Sequence, residues 1–132
     1  MPIDFDSALG PLPQALALRA RRTELLAGNL ANADTPGYKA RDIDFRAAMQ
    51  AVQGRTSGVT LRTTNPGHMT LSASRGNPPV QYRVPDSPSL DGNTVDSQRE
   101  QAEFTENALG YQATLTFLNG RLKGLRKALR GE

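Results

Sequence analysis

The run SQREQAEFTENALGYQATLTFLNGRLKGLRKALR, residues 97–130, decides the fold. Phe104, Tyr111, Leu118 and Leu125 recur every seven residues, and Ala108, Leu115, Leu122 and Leu129 form a second row interleaved with them. Apolar rows at this spacing line one side of a helix, an a/d seam sustained over about four heptads. Ser97-Gln98-Arg99-Glu100 reads as a capping box, which sets the helix start close to Asp96 or Ser97, and Gly131 follows its end near Arg130. Glu100, Glu103 and Glu106 come first and Arg121, Lys123, Arg126, Lys127 and Arg130 come last, the order the helix dipole favours. At about 1.5 Å per residue such a helix is about 50 Å long.

A second helix is expected over Pro11 to Ala33, where Leu12, Leu16, Thr23, Leu26, Leu30 and Ala33 share a stripe. Arg19, Arg21, Arg22 and Glu24 fall mostly elsewhere on it. Pro11 and Pro13 suit a first turn, whose amides lack partners in any case. Asp34-Thr35-Pro36-Gly37 ends it, because Pro36 biases Thr35 away from the helical region and Gly37 can take a positive φ. Two long helices with no third to cover them make a hairpin. Parts of the leucine faces, with Leu109 and Phe117, should stay exposed in a monomer, and an exposed apolar stripe marks an assembly surface.

At 132 residues the chain has the size of one ordinary domain. Its leucines crowd toward the two ends, leaving little for a central core besides Leu61, Leu71 and Leu90. Residues 54–98 are rich in Gly, Pro, Ser, Thr and Asn. A small β unit fits there: Val59 and Leu61 alternate with polar residues, Asn65-Pro66-Gly67 supplies a turn, Met69 and Leu71 continue, and Val80, Tyr82 and Val84 form a third strand. The expected fold is therefore mainly α, with long N- and C-terminal helices paired as a coiled-coil-like hairpin and a small, partly disordered β-hairpin middle. Residues 1–50 and 92–132 would form one helical core and residues 51–91 a flexible or small β insertion.

A net charge of +3 from 16 basic and 13 acidic residues permits an acidic partner without demanding one. The absence of cysteine excludes disulfides and thiolate metal sites. Met-Pro-Ile-Asp-Phe-Asp carries acids where a secretory signal carries bases, so no cleavable signal is expected, and no apolar run approaches the roughly 20 residues of a membrane helix. His68 has no second His or Cys with which to share a metal, and no phosphate loop or nucleophile motif is present. Asp42 and Asp44, with His68, are the one arrangement that could be imagined as an acid and base pair; nothing around them suggests an enclosed pocket. Arg121 to Arg130 could bind nucleic acid or an anionic surface as a soluble basic helical module, although no aromatic residues interleave with those bases.

The most unusual stretch is Asn29-Leu30-Ala31-Asn32-Ala33-Asp34-Thr35-Pro36-Gly37-Tyr38-Lys39. Asn29 and Asn32 share a helix face, and Ala27, Gly28, Ala31 and Ala33 are small enough for another backbone to approach, so the amides could bond across a tight contact. A capped surface helix end is the plainer alternative. The stretch resembles the N-terminal signature of the flagellar rod, hook and hook-associated proteins, carried here by Asn29, Asn32, Thr35, Pro36, Gly37 and Tyr38. Tyr38 to Phe45 is similar to the proximal rod members, as are Gly92-Asn93-Thr94-Val95-Asp96, Glu106-Asn107-Ala108-Leu109 and Tyr111-Gln112-Ala113. Gly110 departs from the pattern, which has a long polar or basic residue there.

That resemblance implies a structural subunit, not an enzyme and without a cofactor, whose paired terminal helices stack helically into a tube around the export channel. Leu16, Leu26 and Leu30 and the rows Phe104, Tyr111, Leu118, Leu125 and Ala108, Leu115, Leu122, Leu129 would form its assembly seam. It implies a place in the periplasmic rod of the basal body, reached through the flagellar type III apparatus. The implied partners are further copies of the chain, the next rod protein FlgC, the basal adaptor FliE, the membrane ring and the export gate. Phe45 and Met49 match the Phe-x-x-x-hydrophobic element that the gate reads in this family; the same spacing is also ordinary i, i+4 packing.

Overall fold

The computed structural model describes residues 5–54 and 78–131. Six elements follow in order: α1 (Phe5–Leu9), α2 (Leu12–Ala31), β1 (Arg41–Asp42), α3 (Phe45–Gly54), β2 (Gln81–Tyr82) and α4 (Ser97–Arg130). The molecule is mainly helical, and α2 and α4 pack along each other as the heptads require. Gly10, at φ 61°, separates α1 from α2, a left-handed conformation that a side chain would resist. The expected strands at Val59–Leu61 and Met69–Leu71, and His68, lie outside the described residues. The alternation at Val80 to Val84 does yield a strand, β2. Its antiparallel partner is β1, with Arg41 opposite Tyr82 and Asp42 opposite Gln81, so this sheet ties the end of the signature stretch to the segment leading into α4.

Asp96 caps α4, its carboxylate accepting from the Gln98 and Arg99 amides at 3.0 and 3.3 Å. The cap thus falls one residue before the expected capping box, which frees Glu100 to turn inward. Gly131, at φ 72°, closes the helix in a left-handed conformation. On one side of α2 an apolar cluster of Leu18, Ile43 and Ala48 forms, flanked by Leu25, Phe45, Met49 and Val80. This cluster seats α3. Leu26, also on α2, is fully buried.

The row of α4 turned toward α2 is polar. Glu100, Asn107 and Thr114 are buried, and Phe104, Tyr111, Leu118 and Leu125 are half-buried beside them. Ala108, Leu115, Leu122 and Leu129 are exposed. A step of one residue turns a helix by about 100°, so the second leucine row lies about 100° around from the buried polar row. The seven-residue periodicity is real, but the seam closed within the chain uses positions i and i+3, while the leucines at i+4 face away.

Candidate functional site

The helices are joined by a polar cluster built from four elements. Arg22 on α2 donates from Nε and Nη2 to the two Asp42 oxygens, both at 2.9 Å, and Nη2 also reaches Glu103 on α4 at 2.5 Å. Arg83, just past β2, donates to Asp42 at 2.5 Å and to Glu100. Asp42 is therefore clamped between two guanidiniums. Burial pushes its carboxyl up, but the Arg22 hydrogen bonds, the Ile43 amide and Arg83 outweigh that and hold it below its ordinary value. Arg22 is correspondingly held more firmly protonated, chiefly by its hydrogen bonds to Asp42.

Asn29 completes the joint. Its side chain accepts from the Arg41 amide at 3.0 Å and donates to the Arg41 carbonyl at 2.8 Å, reproducing the pairing of a neighbouring strand on the edge of β1. The same amide nitrogen donates to Glu100 at 3.1 Å. Both Asn29 and Glu100 are almost wholly enclosed, and burial of such groups is tolerated only when they are paired. The expectation that the Asn29 amide bonds across a tight helix contact is met in these contacts.

Asn32 does something different: its Nδ2 donates to the Gly28 carbonyl of its own helix at 2.8 Å. The helix end is held instead by Asn93, whose Nδ2 reaches the carbonyls of Asn32, Ala33 and Thr35 at 3.1, 2.7 and 2.9 Å. These carbonyls belong to the turns that follow α2, where Asn32 O also accepts from Thr35 N and Thr35 O from Tyr38 N. The strap continues with Gly37 N to Asp91 O at 2.9 Å, Thr94 N to Tyr38 O at 3.0 Å and Ala40 N to Thr94 Oγ1 at 2.8 Å. Tyr38 is half-buried, whereas Thr35, Pro36 and Gly37 are exposed. Two stretches far apart in sequence, 29–42 and 83–103, therefore form one continuous polar fastening.

Farther along, Asn107 donates to the Arg19 carbonyl and to Thr23 Oγ1, each at 2.9 Å. Arg19 stacks over the Phe45 ring at 4.4 Å and crosses α4 at Gly110. A Cβ added to Gly110 would meet Arg19 Nη1 at 2.2 Å, well inside contact distance. Glycine at this departure from the family pattern makes room for the guanidinium. Phe45 and Met49 both pack into the α2–α3 cluster, as i, i+4 packing predicts.

Of the seam residues, Leu26 is buried, Leu16 and Leu30 are half-buried, and Ala108, Leu115, Leu122 and Leu129 are exposed. Arg121 donates to the Ala8 carbonyl at 3.1 Å, while Lys123, Arg126, Lys127 and Arg130 are exposed. Asp44 caps α3 by accepting from the Ala47 amide at 2.9 Å. Asp42, clamped by Arg22 and Arg83, and Asp44, capping α3, are both engaged in holding the fold. The contacts of Arg22 and Arg83 have no local sequence signal; Glu100 reads in the sequence as a capping-box acid, and Asn93 and Asn107 fall within stretches similar to the rod proteins without a target being apparent. The signal available was the polar residue every seven at 100, 107 and 114, set inside an apolar repeat. Among the described residues no group of three or more metal-binding side chains converges, and no helix is long and apolar enough to cross a membrane.

The sequence profile described as Flagella basal body rod protein matches residues 14–39, which span most of α2 and the first part of the strap. The protein named Flagellar basal body rod protein FlgB from Salmonella typhimurium strain LT2 is 51% identical, covering 96% of this chain and 96% of its own length. Its namesake from Escherichia coli K12 is 49% identical over 95% of this chain and 94% of its own, and that from Aeromonas hydrophila is 47% identical over 100% and 99%. With about half of the residues identical over nearly the whole length, the chain belongs to the FlgB family of flagellar basal body rod proteins.

Proposed function

We propose that the chain is a non-enzymatic subunit of the proximal rod, polymerising helically with other rod proteins to link the membrane ring and export gate to the distal rod. Membership of the family makes it a structural component of the basal body; the proximal position and the neighbours are the proposal. The observation that carries it is the exposed row Ala108, Leu115, Leu122 and Leu129, on a helix already locked to α2 by a different, polar row. A soluble monomer rarely leaves such a stripe bare unless it is used.

Residues 1–50 and 92–132 act in this proposal as the assembling core, with 51–91 as an insertion. Other copies of the chain, FlgC, FliE and the ring and gate beneath are its partners, and the periplasmic rod is its place. Delivery runs through the type III apparatus. Phe45 and Met49 serve as the gate element, and because both pack against the α2–α3 cluster, α3 must undock before a gate could read them.

The test is Leu122→Asp in a strain that depends on this chain for motility. Leu122 is exposed at 44%, so the monomer should fold and be secreted while rod assembly and swimming are lost. A motile strain would sink the proposal.

A further inference from the structure

We infer that Arg19 couples the pairing of α4 to the docking of α3, so that Phe45 and Met49 stay covered while α4 lies on α2 and are released when it leaves. This rests on the reading of those two residues as the gate element and adds to it what controls their display.

Both α3 and α4 pack on α2, and Arg19 stands on α2 where it reaches each of them. Its guanidinium lies over the Phe45 ring, 4.4 Å from the centroid. The same group fills the space that a side chain at position 110 would need: a Cβ added to Gly110 would sit 2.2 Å from Nη1, 2.5 Å from Cζ and 3.0 Å from Nη2. One planar cation therefore touches the ring that opens α3 and the backbone of α4. The Arg19 carbonyl accepts from Asn107 Nδ2 at 2.9 Å, which holds α4 at this level.

Packing makes this seat, not hydrogen bonding. Arg19 Nε is buried and has no hydrogen-bond partner among the described residues. Desolvation of such a donor is uncompensated, so the guanidinium gains hydration whenever the seat opens. A cation over a ring is held most firmly where water is excluded. With α4 in place the Gly110 backbone covers the guanidinium; with α4 gone, water returns and the hold on Phe45 weakens. Pairing of α4 thus strengthens the α2–α3 contact, and by linkage docked α3 strengthens the pairing of α4.

Little else holds α3. Phe45, Ala48 and Met49 meet the cluster around Leu18, and Asp44 caps the first turn. The entrance to α3 is also tied to α4 through Asp42, Arg22 and Glu103. That route bypasses Arg19, and an Arg19→Ala chain separates the two.

The chain has no cysteine, so one introduced thiol reports one place. Ala48→Cys reports opening of α3 and Thr114→Cys that of α4, at side chains 7% and 9% exposed. Thiol labelling of the full-length protein in native buffer reads each opening. Gly110→Ala, which displaces the guanidinium, should speed labelling at position 48 about fivefold, the low end for coupled sites. Phe45→Ala should do the same at position 114. In an Arg19→Ala background neither change should move the distant rate by more than about twofold. Hydrogen exchange of the α3 amides makes the same comparison without an added thiol. Equal acceleration with and without Arg19, or none with it present, would overturn the inference. Labelling at both sites only at the rate of global unfolding in every variant would overturn it too. Normal secretion of a chain carrying Phe45→Ala and Met49→Ala would remove the gate reading while the coupled labelling stood; lost secretion with uncoupled labelling would keep the gate element and remove the coupling.

Discussion

Glu100→Gln tests whether the polar cluster, and not the leucine rows, holds α4 to the rest of the chain. The substitution keeps the shape of a side chain that is 1% exposed and removes only its charge. Two donors face that carboxylate, Arg83 and Asn29. A hydrogen bond to a charged group contributes about 1.5–3 kcal/mol, and breaking one partner of a buried pair costs about 3–5 kcal/mol. The lower end applies, because Arg83 is 11% exposed and retains Asp42 at 2.5 Å. A loss of about 2–3 kcal/mol is expected, which for a chain of this size lowers the melting temperature by roughly 8–12 °C. Far-UV circular dichroism in heat and urea at pH 7 measures it. Arg83→Met should be destabilising as well, and the double variant should lose about 1.5–2 kcal/mol less than the sum of the two. A Glu100→Gln protein within about 0.5 kcal/mol of the parent, or strict additivity with Arg83→Met, would refute the assignment of α4 docking to this cluster.

Acid should act through Asp42. Its folded value is depressed below 3.8, so its contribution is fully present above that pH and is lost as pH falls through the folded value. Asp42→Asn is expected to be less stable than the parent at pH 7, with the two urea midpoints converging below about pH 4. Gly110→Ala should change sign with its background. With Arg19 present the new methyl displaces the guanidinium from its seat and costs about 1 kcal/mol, whereas in an Arg19→Ala chain the same change should gain about 1 kcal/mol of helix propensity. Equal effects in both backgrounds, read from paired urea melts, would remove Arg19 from the explanation.

The helices and their pairing were legible because periodicity of seven and the Pro and Gly boundaries are local properties. The facing row was not. Leu115 and Leu122 outrank Asn107 and Thr114 on any scale of apolarity, and positions i+3 and i+4 satisfy the same template. What reversed the ranking was the supply of partners: Arg19 and Thr23 receive Asn107, Asn29 and Arg83 receive Glu100, and those lie 17 to 88 residues away in the chain, while Thr114 turns its hydroxyl back onto the Gly110 carbonyl of its own helix. The role of Asn29 was legible in kind, as an amide bonding across a tight contact. Its target, the peptide edge at Arg41, was not, since β1 is too short to announce itself. In the signature stretch Asn32 and Asn29 look equivalent, yet only one faces α4.

Gly110 has a further consequence, which concerns slippage. In a seven-residue repeat, sliding α4 along α2 by whole heptads preserves the leucine spacing and so leaves the pairing degenerate. One step would bring Phe117 to the place of Gly110, where there is room for no side chain at all while Arg19 is in position. Two steps would bring Gly124, again a glycine with open space around it, so sterics alone would accept that alignment. There, however, Arg22 would meet Phe117 in place of Glu103, and Arg19 and Thr23 would meet Arg121 in place of Asn107. The polar row and the one occupied glycine thus act together as a vernier: neither scale fixes the alignment alone, and their coincidence does. The distance by which the basic end projects past α2 is a dimension encoded at Gly110 and Asn107, and a subunit that must meet its neighbours at a fixed pitch needs that dimension to be single-valued.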